Sequence, residues 1–451
     1  MCSPQVKGAE LMRHYVVMVF LFLVIILVQC ASEPELSDFV KVKGTHFEIK
    51  GVPYYYLGTN IWYGCNLASR GDGGDRERLI RELDLLRSIG INNLRIMGAS
   101  EGNTQPNTVN PAIQSESGVF DEQLLDGLDF LLAEMGKRQM YAVIYLNNYW
   151  EWSGGMAQYV SWFEQTEVPN PFYPKYSYDQ FMKFSARFYH NEKANQAFRE
   201  YVKMLIERKN KYTSELYRDD PTIMAWQLAN EPRPGWGDGG EQNFVAFSKW
   251  IAETAAYIKS LDPNHLVSTG NEGTAGSMGS EELYQEIHRY SGIDYMTAHL
   301  WAYNWSWFDP LNAEATYPEA LRKALVYLQN HVDLAQAIGK PLVFEEFGLT
   351  RDDHSYSPQS PTAYRDRYFR EVLNFIYENS RTGGPLVGSN FWAWGGEGYP
   401  REVVEARWQK GDPYSGDPPQ EPQGRNSVFA SDSSTISILA KFAGKMNSLG
   451  N

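Results

Sequence analysis

The chain has 451 residues, 43% of them hydrophobic and 21% charged, which provides for a sizeable core and excludes wholesale disorder. A formal net charge of −14 argues against nucleic acid or an anionic membrane surface as partner and suits a neutral substrate. Aromatic residues reach 14%, with 13 Trp and 29 Tyr, a surplus that suggests flat platforms for a ligand with C–H faces, such as a sugar.

At the N-terminus, residues 15–28 are unbroken apolar sequence, preceded by Arg13 and His14. That run is short for a membrane span and right for the core of a signal peptide. Cys30 follows at once. The arrangement over 1–29 resembles a bacterial lipoprotein signal, cut before Cys30 and lipidated on it. Gln29 departs from the small residue usual there, and ordinary secretion or a retained anchor are the alternatives. Met12 gives a compact signal if it is the true start. Either main reading puts the mature protein outside the cytoplasm, secreted or held on the cell envelope, with the membrane engaged only through a lipid on Cys30. Lipidation would leave Cys65 alone in the mature chain, so no structural disulfide is expected.

Beyond residue 38, short β-rich apolar runs alternate with longer amphipathic stretches. Strands are expected near 54–60, 91–97, 140–146, 222–230, 265–270, 294–299, 341–347 and 386–394. Helices are expected near 75–89, 121–138, 195–209, 241–260, 280–289, 316–338, 362–379 and 433–446. In the sixth helix, Leu321, Ala324, Leu325, Leu328, Val332 and Ala335 form one apolar stripe. Asp262-Pro263-Asn264 and Gly339-Lys340-Pro341 stop helices ahead of strands. Eight strand–helix units predict an α/β fold, a (β/α)₈ TIM barrel over 38–449 as a single domain. A doubly wound open sheet is the alternative, weakened because no Gly-rich dinucleotide loop follows the first strand. Long insertions near 147–190 and 395–432 both follow strands, which places them at the C-terminal mouth where barrel enzymes keep their sites.

The fourth strand ends Leu228-Ala229-Asn230-Glu231-Pro232-Arg233, and the seventh reads Val343-Phe344-Glu345-Glu346-Phe347-Gly348. A buried carboxylate is costly unless something pairs or uses it. Side chains alternate along a strand, so only one of Glu345 and Glu346 is expected to face the barrel axis. Two carboxylates on strands four and seven suit a retaining glycosidase, which needs an acid for the leaving oxygen and a nucleophile about 5–5.5 Å away. The competing reading is a buried ion-pair role for either Glu, with Arg95 as partner.

These segments, with Gly58-Thr59-Asn60-Ile61-Trp62-Tyr63, Asn93-Leu94-Arg95, Thr297-Ala298-His299-Leu300-Trp301 and Asn390-Phe391-Trp392-Ala393-Trp394, resemble glycoside hydrolase family 5 of clan A in its β-mannanase branch. Gly411-Asp412-Pro413 and Gly424-Arg425-Asn426-Ser427-Val428 resemble the bacterial members. The resemblance implies a retaining endo-β-1,4-mannanase acting on mannan, galactomannan or glucomannan, with no cofactor and no metal. It implies Glu231 as general acid/base and Glu346 as nucleophile, leaving Glu345 to helix packing or an ion pair. Asn230 would bond the sugar 2-OH, Arg95 would keep Glu346 ionised, and His299 would line the cleft. Where many members carry Tyr, this chain has Trp301, so either its indole N–H or Tyr303 would replace that hydroxyl. Trp392 would be the platform under the sugar, with Trp394 facing the same way further out. Trp62, Tyr63, Trp150, Trp152 and Trp162 are candidates for further subsites, alongside Asn148 and Glu397.

Other features come to little. Gly71-Asp72-Gly73-Gly74-Asp75 lacks the phosphate-loop Lys and reads as a loop with an Asp cap. The eight His show no zinc spacing. Asp352-Asp353-His354 reads as a solvated loop, and the Asn304-Trp305-Ser306 sequon falls in the expected active site. A β-1,4-glucanase, an exo-acting mannosidase whose cleft the 147–190 insertion closes, and a non-catalytic glycan-binding lipoprotein are the competing functions. The last would be expected to lose Glu231 or Glu346, and both are present. A monomer is the default. Cys30→Ser is expected to release the protein from the membrane fraction; a wild type already soluble outside the cell would contradict the lipidated signal.

Overall fold

The computed structural model describes residues 38–450 apart from 103 and 404. The signal segment and Cys30 lie outside the described residues.

Eight parallel strands form one sheet: β1 (Tyr56–Ile61), β2 (Asn93–Met97), β3 (Tyr141–Tyr145), β4 (Ile223–Gln227), β5 (Leu266–Ser268), β6 (Met296–Leu300), β7 (Leu342–Phe347) and β8 (Leu386–Phe391). They hydrogen-bond in the order β5-β4-β3-β2-β1-β8-β7-β6, and a parallel bridge from Ser268 to Tyr295 joins the two ends. This is the expected (β/α)₈ barrel. Eight helices return the chain between strands: α1 (Arg76–Ser88), α2 (Glu122–Lys137), α3 (Glu192–Ile206), α4 (Phe244–Leu261), α5 (Glu281–Arg289), α6 (Ala313–Ile338), α7 (Ala363–Arg381) and α8 (Ser433–Asn447).

Local chemistry sets the helix ends. Asp75 accepts from the Arg78 amide, Asp121 from Gln123 and Leu124, Asn191 from Ala194 and Ser280 from Leu283, each satisfying an orphan donor of a first turn. Asp75 thereby confirms the capping loop read at 71–75. Gly339, at φ 72°, stops α6 in the left-handed region. The α6 stripe buries Ala324, Leu328, Val332 and Ala335, with Leu321 and Leu325 partly covered. Asp352 accepts from the amides of Ala363 and Tyr364, so this acidic loop serves the start of α7.

The barrel interior is plugged from below. An antiparallel three-stranded sheet over 41–54, unforeseen from the sequence, closes the N-terminal end. Phe47 and Tyr54 from that sheet pack with Tyr56, Val143, Leu266, Tyr295, Val343 and Val387. Gly388 is required in this layer, because a Cβ there would lie 2.4 Å from the Tyr56 ring.

At the opposite end the two insertions take defined structure. The first folds into helices Gly155–Glu164 and Tyr178–Ser185. The second is organised around Asp417, which is fully buried and accepts from the amides of Gly424, Asn426 and Ser427 and from the Ser427 hydroxyl. Arg365 of α7 donates to the carbonyls of Leu349, Arg425 and Ser427 and ties that loop to the barrel. Cys65 is buried and carries no cross-link. Asp417→Ala leaves several buried donors without an acceptor. It is expected to lower unfolding free energy by about 2–4 kcal/mol in chemical denaturation, where a change under about 0.5 kcal/mol would contradict the role.

Candidate active site

β7 departs from regular alternation. Ala298 pairs with Phe344, but His299 pairs with Glu346, so Glu345 is the extra residue of a β-bulge. The bulge turns both Glu345 and Glu346 inward. The expected outward orientation of Glu345 is therefore corrected: it lies inside the barrel, with Gln227, Tyr295 and Arg95 around it. Its expected ion pair is present, with Arg95 at 3.8 Å.

Arg95 rises from β2 into the same layer and is fully buried. Its Nη1 donates to Glu346 at 2.6 Å and to Asn60 at 3.1 Å, its Nη2 to Asn230 at 2.8 Å, and its Nε to Gln227 at 2.8 Å. Trp301 donates its indole N–H to the other oxygen of Glu346 at 3.2 Å. Trp301 thus takes the place left open for a hydroxyl. Tyr303 does not: its hydroxyl lies 3.4 Å from His354, and Arg425 stacks over its ring.

Glu231 follows β4 with φ 49°, a left-handed backbone that a non-glycine residue adopts at a cost of about 1–3 kcal/mol. Hydrogen bonds from the Asn230 amide to Asn147 and from the Glu231 amide to Gly270 hold that turn. The carboxylate accepts from Trp150 Nε1 at 2.5 Å, and its other oxygen lies 2.6 Å from His299 Nδ1. The same nitrogen is 3.4 Å from Glu346. One nitrogen between both carboxylates brings them closer than the roughly 6.5–9.5 Å separation of inverting pairs. Asn148 accepts from Asn230 at 3.1 Å and so supports it from behind rather than facing the cavity.

Electrostatics divide the layer. Burial, reinforced by Arg95, holds the His299 imidazole far below its usual value, so the ring is neutral. Burial raises the Glu346 carboxyl above the ordinary range, with Glu231 and Glu272 adding to it and Arg95 opposing. Glu272, beyond β5, is pushed up to about 7 by burial despite its hydrogen bond from Arg233. The guanidinium of Arg233 also lies over the Trp150 ring at 4.8 Å. Glu272 was missed in the sequence, although Gly270-Asn271-Glu272-Gly273 repeats the Asn230-Glu231 pattern of an acid just past an apolar strand. Donor atoms of Glu231, Glu272 and His299 lie within 4.8 Å of one another, a spacing that would suit a cation, while Trp150 and Arg233 already donate to the two carboxylates.

A cavity of about 1140 Å³ opens above this layer. Trp392, Trp301, Trp150, Trp152, Trp305 and Trp307 line it, and Trp236 stands half-exposed on its rim. Trp62 does not reach it. It is fully buried, bonded through Nε1 to the Gly416 carbonyl and packed edge-on to Trp152. Trp394 is likewise buried and donates to Glu82, and Glu397 pairs with Arg81 on the surface. The sequon residues Asn304 and Trp305 do line the cavity.

A family model described as GH family 5 beta-mannosidase-like matches residues 37–451. The chain belongs to that family. This glycoside hydrolase is 30% identical to a putative mannan endo-1,4-beta-mannosidase 4 from Arabidopsis thaliana, over 92% of each chain. A glycoside hydrolase family 5 mannosidase from Rhizomucor miehei, also crystallised as a variant with mannosyl-fructose, superposes with TM-score 0.84. The two are 35% identical, over 92% of this chain and 98% of that one. An endo-beta-1,4-mannanase from Thermotoga petrophila superposes with TM-score 0.64 at 26% identity, over 88% of this chain and 78% of that one. The kinship found is thus with plant and fungal proteins as well as a bacterial one.

Removing Arg95 leaves burial, Glu231 and Glu272, all of which favour the protonated form of Glu346, opposed only by the indole donor of Trp301. In Arg95→Met the acidic limb of kcat/KM on an aryl β-mannoside is expected to move to higher pH, with at least a hundredfold loss near neutrality. An unmoved limb would contradict the assignment of Arg95 as the charge partner of Glu346.

Proposed function

We propose that this enzyme is a retaining β-mannanase that hydrolyses β-1,4-mannosidic bonds by double displacement. The observation that carries the reading is the pair Glu231 and Glu346, held in unlike environments across one histidine nitrogen. Glu346, fixed by Arg95 and Trp301, attacks the anomeric carbon and forms the glycosyl-enzyme. Glu231 gives its proton to the leaving oxygen and then takes one from the water that releases the sugar. Asn230, held by Arg95 and Asn148, presents its amide to the sugar 2-OH. Trp392 supplies the apolar platform beneath the ring. Mannan, galactomannan or glucomannan is the substrate, and the two carboxylates with water are sufficient for the chemistry.

The names of the curated relatives support internal cleavage. One observation favours a second reading, attack at chain ends. The two insertions meet across the mouth: Arg407 lies over the Phe172 ring at 5.0 Å and donates to the Gln420 carbonyl, and all three residues line the cavity. A wall there shortens the path for a polymer. The mannosyl-fructose bound to a variant of the fungal relative is a short ligand of the kind such a pocket holds.

Glu346→Ala is expected to lower turnover on mannan by several orders of magnitude. Glu231→Ala is expected to lose far more activity on mannan than on an activated aryl β-mannoside, whose leaving group needs no proton. Equal losses on both substrates would remove Glu231 as the acid. Products from linear mannan decide the mode. Mixed short oligosaccharides from the start indicate internal cleavage, and a single small product indicates chain-end attack.

A further inference from the structure

Glu345 has no part in the double displacement, yet it is among the most enclosed charged groups of the barrel, 1% exposed. The bulge that turns it inward places it directly beneath Glu346. Both of its oxygens accept from Gln227 Nε2, at 2.8 and 2.7 Å. The other end of that amide, Gln227 Oε1, accepts from Arg95 Nε at 2.8 Å. Tyr295 approaches at 3.4 Å, Arg95 Nε lies 3.8 Å away, and the bare Nε2 of His299 lies at 4.0 Å.

An amide side chain has one accepting and one donating end. Arg95 Nε, which only donates, requires the accepting end of Gln227. Ser268, whose hydroxyl is 3.0 Å from Gln227 Nε2, serves either orientation because it donates as readily as it accepts. Glu345 is the partner that holds the donating end in place. The guanidinium is planar, so fixing its Nε edge fixes the plane in which Nη1 meets Glu346 and Nη2 meets Asn230.

We propose that Glu345 is a positioning residue: through Gln227 it orients the Arg95 guanidinium, and thereby the nucleophile Glu346 and the sugar-binding Asn230. This rests on Glu346 being the nucleophile. It also gives the β7 bulge a purpose, since without it Glu345 would point into the helical shell and Gln227 would lose both of its bonds to Glu345.

The test is the rate at which a 2-deoxy-2-fluoro-β-mannosyl fluoride labels Glu346, followed by mass spectrometry of the intact protein and its peptides. Labelling reports the placement of Glu346 and does not need the acid step. Glu345→Met removes the acceptor and is expected to slow labelling at least tenfold, with kcat falling in parallel and KM within about twofold of wild type. Glu345→Gln keeps one accepting oxygen and is expected to stay within about threefold of wild type. Glu345→Asp keeps the charge but withdraws it from Gln227, and serves if the Met variant does not fold; at least a fivefold slowing is expected. Wild-type labelling rates in folded Met and Asp variants, with only thermal stability reduced, would overturn the proposal. Loss in the Gln variant equal to that in the Met variant would also overturn it, because charge rather than acceptance would then be at work. If the wild type carries no label on Glu346, the nucleophile assignment itself fails, a result distinct from equal labelling of all forms.

Discussion

The mouth of this barrel depends on one buried cation. Arg95 has no contact with water, and an unpaired charge in that position would cost many kcal/mol. It is tolerated because every part of the guanidinium has a partner, drawn from four strands or their ends. Asn60 comes from β1, Gln227 and Asn230 from β4 and its extension, and Glu346 from β7, while the Tyr145 ring of β3 lies 4.9 Å below the charge. The same bonds that stabilise the arginine fix Glu346 and the Asn230 amide, the proposed nucleophile and sugar-binding group, relative to one another. Stability and function are not separable at this residue.

The second carboxylate is built differently. Glu231 has no guanidinium of its own. A strained turn aims it at the cavity, Trp150 donates to one oxygen, and the neutral ring of His299 lies against the other. Two carboxylates close together in unlike surroundings are what acid and nucleophile roles require, since like charges side by side resist joint ionisation. Glu272 and Arg233 add a buried ion pair next to Glu231, and the half-exposed Trp236 lines the same cavity.

Much of this was legible in the sequence. The eight strand–helix units stand out because apolar runs and 3.6-residue stripes are local signals, and α6 buries most of the stripe that defined it. Glu231 and Glu346 stand out because acids at the ends of apolar strands have few structural explanations. What was misread depends on contacts distant in sequence. Glu345 was turned outward by the rule of alternation, and the bulge that breaks the rule arises only in pairing with β6. Trp62 reads as a mouth residue until the later insertion brings the Gly416 carbonyl to its indole. Tyr303 offered a hydroxyl, but the indole of Trp301 already reaches Glu346. The sheet over 41–54 consists of very short strands with weak local signal.

The proposed double displacement by Glu231 and Glu346 rests on their closeness across the His299 nitrogen. The most direct test is the anomeric configuration of the first-formed product, read by proton NMR during the opening minutes of hydrolysis, before mutarotation. The account predicts that the β-anomer appears first and the α-anomer only later, as the sugar equilibrates. First appearance of the α-anomer would mean a single displacement by water and would contradict the assignment of Glu346 as nucleophile.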